Sequence, residues 1–326
     1  MCLFCRYPDS VKDGYTMVIG TEAMQRPNLP ENHMHTNVRK HSMSHEGTRT
    51  ILPDSVVSAE WLSAHLDEPH LQVVDIRGYV NAVSHGDGRQ TATYTGALDE
   101  YLEGHVPGAV YIDWTKDIVD PDASVKAQIA PPDLFADVMG TSGVDARTDV
   151  VIVDHAGGHF ATRLWWALRY YGHDRAAVLD GGFTRWNALG LPLEPGPHTA
   201  EPKEFVATVR PGLWSSAEDV LAATESGERQ IIDARDADTY LGVVQRGSRG
   251  GHIPTAINLP AKALLDDSGS WKSPEDIRDA AENSGVDLGR PVTAYCNGGV
   301  TATAVLFGLQ RAGLADISNY DGSWNE

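Results

Sequence analysis

Cysteine is nearly absent from this chain. It has three in 326 residues, and two of them, Cys2 and Cys5, lie at the extreme N-terminus. So few thiols exclude a disulfide framework and fit a reducing, cytoplasmic setting. Basic residues are scarce as well: 26 Lys and Arg face 45 Asp and Glu, a formal net charge of −19. Such acidity argues against nucleic acid as a partner, because a polyanion needs a basic face. An anionic small molecule would have to be drawn by a local basic pocket. No stretch approaches the roughly 20 apolar residues of a membrane helix. The N-terminus also lacks a basic region followed by an apolar core, so neither a membrane span nor a signal peptide is expected.

What is present falls into unequal parts. Residues 1–50 hold five of the six methionines and the closely placed His33, His35, His41 and His45, without a sustained periodic pattern. They read as a disordered extension, with Met43 a plausible alternative start. Cys2-Leu3-Phe4-Cys5 is a CxxC, but its spacing from those histidines matches no zinc module, so no metal is expected. The remaining length suits two domains.

From residue 51 onward the chain repeats itself. The run Leu71-Gln72-Val73-Val74-Asp75-Ile76-Arg77 matches Gln230-Ile231-Ile232-Asp233-Ala234-Arg235. Gly104-His105-Val106-Pro107 matches Gly251-His252-Ile253-Pro254, and Leu179-Asp180-Gly181-Gly182-Phe183 matches Tyr320-Asp321-Gly322-Ser323-Trp324. The strand Asp149–Val153, ending at Asp154, matches the strand ending at Cys296. Four landmarks recurring in order imply a tandem duplication. Helix starts are read at Ser215-x-x-Glu218, at Pro131-Pro132 and at Ser273-Pro274. Short β-branched runs alternating with such helices imply an α/β fold, each half a mainly parallel sheet with helices on both faces. The expected divisions are 51–194, a proline-rich linker 195–214, and 215–326.

Cys296 is the one residue that invites chemistry. The buried-looking strand Val292-Thr293-Ala294-Tyr295 delivers it into Asn297-Gly298-Gly299-Val300-Thr301, and that loop opens into an apolar helix from about Ala302 to Ala312. A thiol there faces unpaired N–H groups and the positive end of the helix dipole, both of which favour the reactive thiolate. Two glycines let successive amides curl into an anion nest. A free cysteine is often a small inert hydrophobe, yet the Cys-x-Gly-Gly-x-Thr setting favours a nucleophile.

These motifs together resemble the rhodanese family of sulfurtransferases in its two-domain form, over about residues 55–326. The resemblance implies that the Cys296 thiolate takes the outer sulfur of thiosulfate or 3-mercaptopyruvate. A persulfide forms, and cyanide or a thiol then accepts the sulfur in a ping-pong cycle. No cofactor or metal is implied; the partners are small-molecule donors and acceptors. Amides of Asn297 to Thr301, with the Thr301 hydroxyl, would hold the anionic sulfur. The first domain is implied to be non-catalytic, since Asp154 stands in the cysteine position. Neutral Asn297 and Gly298 lean toward mercaptopyruvate. The arginine that relatives place a few residues after Asp-x-Arg falls at Thr239, leaving Arg246 and Arg249 as candidate anchors. Arg235 is a further candidate, with a structural ion pair as its other reading. The chain stops sooner after Asp-Gly-Ser-Trp than the first half does after its equivalent, so either the second domain is expected to lack a short final helix or the sequence is truncated.

Two rivals remain on the same residues. A cysteine phosphatase of the Cdc25 type needs arginine six positions after the cysteine to grip phosphate, and that position is Ala302. The other rival is a non-catalytic rhodanese-like binding or regulatory module.

Overall fold

The computed structural model describes residues 49–155 and 157–326. The N-terminal CxxC, the four histidines and Met43 lie outside the described residues. Arg49 and Thr50, counted with the extension in the sequence reading, are described, and the Thr50 hydroxyl donates to Asp149 at 2.6 Å.

In chain order the first half comprises β1 (Val56–Val57), α1 (Ala59–His65), β2 (Leu71–Asp75), β3 (Gly78–Ser84), β4 (Arg89–Gly96), α2 (Leu98–Glu103) and β5 (Ala109–Tyr111). It continues through α3 (Pro132–Thr141), β6 (Asp149–Val153), α4 (His159–Tyr170), β7 (Ala176–Leu179) and α5 (Gly182–Ala188). The second half comprises β8 (Trp214–Ser215), α6 (Ala217–Ser226), β9 (Gln230–Asp233), α7 (Ala237–Tyr240), β10 (Gln245–Arg246) and β11 (Ile257–Asn258). It ends with α8 (Pro274–Asn283), β12 (Val292–Tyr295), α9 (Thr301–Arg311) and β13 (Ile317–Tyr320).

Each half builds a five-stranded sheet in which every described pairing is parallel. The orders are β1-β7-β6-β2-β5 and β8-β13-β12-β9-β11, the same order in the two halves. Side chains alternate between faces along a strand, and the cores follow that rule. Val150 and Ile152 of β6 join one apolar cluster, whereas Val151 and Val153 join another with Leu62 and Trp186 from α1 and α5. Both faces are therefore covered, and the strands read as continuous apolar runs.

The larger cluster crosses between the halves. Leu164, Trp165 and Leu168 of α4 share one core with Val305, Phe307 and Leu309 of α9. Trp165 meets Phe307 edge-on at 4.8 Å, and Thr162 pairs its hydroxyl with Thr303 at 3.1 Å. Cutting the chain near residue 210 and expressing the pieces separately should thus give two aggregation-prone fragments, each exposing a large apolar patch. Two soluble halves with independent cooperative melts would contradict this account.

The helix starts differ from the sequence reading at one point. Ser216, not Ser215, caps α6, in a reciprocal box with Asp219. Ser215 ends β8 instead, where its buried hydroxyl bonds Ser318 at 2.8 Å. Sheet burial claims Ser215, and the next residue takes the cap.

A third sheet was not anticipated. β3 and β4 form an antiparallel hairpin turning at Gly86-Asp87-Gly88, and β10 of the second half pairs with β4 in parallel, Arg246 opposite Gln90. This ladder carries a limb of the first half to the mouth of the second.

Candidate active site

Ligand sites in parallel sheets lie beyond the carboxyl ends of strands, and Cys296 follows β12 directly. The thiol is buried, 4 % exposed, at the base of a cleft of about 350 Å³. The second half lines it with Arg235, Asp236, Thr239, Lys262 and the loop residues Asn297, Gly298, Val300 and Thr301. The first half adds Val80, Tyr94, Trp114 and His159. Arg246 completes the rim.

The loop's curvature is fixed by its neighbours. Gly299 has φ +74°, and a Cβ there would come within 2.6 Å of the Asp321 carbonyl. Its own carbonyl accepts from Arg163 Nη1 at 3.3 Å and Asn319 Nδ2 at 3.1 Å. The Cys296 N–H donates to Ser323 Oγ at 3.1 Å, while Trp324 N–H donates to the Cys296 carbonyl and Asn325 N–H to that of Asn297. The amide N–H groups of Asn297, Gly298, Gly299, Val300 and Thr301 donate in none of the hydrogen bonds among the described residues. The Thr301 hydroxyl is likewise uncommitted, whereas Thr303 spends its hydroxyl on the Val300 carbonyl. The Cys296 sulfur thus sits beside a turn whose donors are free to receive an anion.

The first half shows the same turn closed. Asp154 ends β6 where Cys296 ends β12, and its Oδ2 accepts from the amides of Phe160 and Ala161 at 3.2 and 3.3 Å. Burial raises this carboxyl above its ordinary value, against the lowering effect of those amides. The carboxylate side chain fills its own helix start.

The repeated Asp-x-Arg and Gly-His-x-Pro motifs serve the scaffold. Arg235 donates Nε to both oxygens of Asp233 and Nη2 to the Gly251 carbonyl, as Arg77 does with Asp75 and Gly104. His252 and His105 each bond a tyrosine carbonyl through Nδ1 and stack on that tyrosine's ring. Arg235 is therefore a wall of the cleft whose charge is already paired. Arg249 is not among the residues lining the cleft: its guanidinium lies over the Trp324 ring at 5.2 Å. Arg246 does line it, oriented by a 3.0 Å bond from Nε to Gln90 Oε1.

Several contributors escaped the sequence reading. Tyr94 projects from the hairpin; burial raises its phenol above the ordinary value, and the neighbouring Cys296 adds to the rise. The alternating Arg89–Gly96 run after Gly86-Asp87-Gly88 was the available sign of that hairpin. Arg163, reaching 158 residues along the chain to Asp321, left no local sign. Lys262 enters the cleft already paired with Asp236.

A rhodanese-like domain matches residues 58–189 and again residues 216–326. The chain belongs to the rhodanese family. This rhodanese is 35% identical over 281 residues to the 3-mercaptopyruvate sulfurtransferase of Rattus norvegicus, covering 83% of this chain and 91% of the relative. It is 34% identical over 286 residues to the thiosulfate sulfurtransferase of Bos taurus, covering 85% and 92%. Among solved structures it is similar to SseA from Escherichia coli, described as a 3-mercaptopyruvate sulfotransferase. That match has a TM-score of 0.72 and 32% identity, over 83% of this chain and 99% of the other. Among the described residues no helix is long and apolar enough to cross a membrane.

Proposed function

We propose that this sulfurtransferase carries sulfur on Cys296 as a persulfide, taken from 3-mercaptopyruvate or thiosulfate and passed to cyanide or a thiol. One observation supports the reading above others: a buried thiol facing a cleft, at a loop whose successive amides are uncommitted. Sulfur chemistry needs those donors twice, first for the thiolate and then for the persulfide anion. The phosphatase alternative lacks its arginine, since Ala302 occupies that position and is fully buried. Residues 215–326 would form the catalytic domain of a tandem duplication. Residues 51–194 would be a non-catalytic partner lending one wall, and 195–214 the linker. Scarce cysteine favours the cytoplasm.

Asn297 and Gly298 add no charge beside the thiol, and both Arg235 and Lys262 are ion-paired. Arg246 is then the cation left to anchor a donor. A single anchor suits the monoanionic carboxylate of mercaptopyruvate better than the thiosulfate dianion. Arg246→Ala should raise KM for mercaptopyruvate by about tenfold or more, with a smaller fall in kcat, because charge-assisted contacts are worth roughly 1.5–3 kcal/mol. The reading as a whole is tested by intact-protein mass spectrometry after brief exposure to each donor. Cys296 should become heavier by one sulfur, and cyanide should remove it. A chain that gains no sulfur from either donor would be a binding module instead.

A further inference from the structure

His159 is the first residue of α4 and comes from the first half, yet it lines the cleft that holds Cys296. The turn that aims it packs closely against the second half. Gly158 adopts φ +70°, and a Cβ there would press to 2.8 Å from the Trp271 ring. The two ring nitrogens differ. Nδ1 is sealed from solvent without a hydrogen-bond partner, and Nε2 is not sealed in this way. A proton on Nδ1 would be a buried donor with no acceptor, so the neutral ring carries its hydrogen on Nε2. Burial also pushes the imidazole below its ordinary value, only partly opposed by Asp236. Of the charged side chains sharing the cleft, Asp236 is paired with Lys262, Arg235 with Asp233, and Arg246 is a further cation. The first half thus presents a neutral N–H donor opposite the sulfur loop.

We infer that the Nε2–H of His159 binds the ketone oxygen of an α-keto thiol donor and stabilises the enolate released when the donor's C–S bond breaks. The inference rests on the sulfur-transfer reading. In that step the Cys296 thiolate forms an S–S bond to the donor sulfur, and the C–S electron pair passes to carbon and onto the ketone oxygen. The proton of the donor thiol ends on that carbon, so thiolate and mercaptopyruvate yield persulfide anion and pyruvate with charge conserved. A neutral imidazole suits an oxyanion it must polarise without protonating. Thiosulfate releases sulfite and develops no such oxygen, so His159 sets donor preference.

The test compares His159→Phe and His159→Gln with the full-length wild type, using mercaptopyruvate and thiosulfate as donors and cyanide as acceptor. The ratio of kcat/KM for mercaptopyruvate to that for thiosulfate should fall about a hundredfold in the Phe variant, as when one oxyanion donor is removed. The loss should fall on kcat rather than KM. Gln, which keeps an N–H, should restore part of the ratio in a protein of unchanged thermal midpoint. An unchanged ratio in both variants, or equal losses with both donors, overturns the role of His159. Wild-type protein that takes sulfur from neither donor overturns the sulfur-transfer reading itself.

Discussion

Cys296→Ser should reduce sulfur transfer by at least about 10⁴-fold with either donor, to the level of the uncatalysed reaction. A hydroxyl at this turn stays protonated near neutral pH and forms no stable bond to sulfane sulfur, whereas a thiolate does both parts of the chemistry. The fold should survive. The loop is held through backbone groups, by Ser323 on the Cys296 amide and by Trp324 on its carbonyl, and neither bond depends on the sulfur. A cyanolysis assay with each donor, alongside circular dichroism, measures both halves of the expectation. Transfer at more than a few per cent of wild type would remove Cys296 from the mechanism, and Cys2 and Cys5 would have to be tested next.

The largest loss of stability should follow Arg163→Met. Arg163 is 1% exposed and bridges the halves through Nη1, which pairs with Asp321 at 2.5 Å and donates to the Gly299 carbonyl, while Nη2 donates to the Ala127 carbonyl of its own half at 2.7 Å. Asp321, also 1% exposed, accepts in turn from the Ile129 amide at 2.8 Å. Methionine fills similar volume but strands the Asp321 carboxylate, and breaking one side of a buried pair costs about 3–5 kcal/mol. The midpoint of thermal unfolding should fall by on the order of 10 °C. Activity should fall further than stability accounts for at assay temperature, because Gly299 loses one of its two anchors and the amide turn beneath Cys296 loosens. Scanning calorimetry and donor kinetics on the same sample check this. A variant with the wild-type midpoint would show that the pair contributes nothing across the interface.

The alternating β-branched strands and helix starts made the fold class readable, because local periodicity and capping depend only on neighbours in sequence. The repeated Asp-x-Arg and Gly-His-x-Pro landmarks were equally visible. What they do was less so: Arg235 could be read as a donor anchor until its charge was found spent on Asp233. Cys296 and its glycine-rich loop were legible for a different reason. The strand, the thiol, the two glycines and the helix start lie within a dozen residues, so their geometry is nearly set by the local chain.

The rest of the site is assembled from afar. Tyr94, Trp114 and His159 line the Cys296 cleft from the other half, Arg246 is placed by a two-residue ladder against β4, and Arg163 joins Asp321 across 158 residues. No periodicity encodes such meetings, because they follow from how two separately patterned sheets pack through α4 and α9. The sequence by itself determined an α/β chain with a thiol at the end of one strand and a carboxylate at the end of its counterpart. Only the tertiary structure decided which cation stays unspent in the cleft of that thiol and which wall it faces. Pairing of charges and burial of an imidazole are properties of the packed interface, not of any segment that forms it.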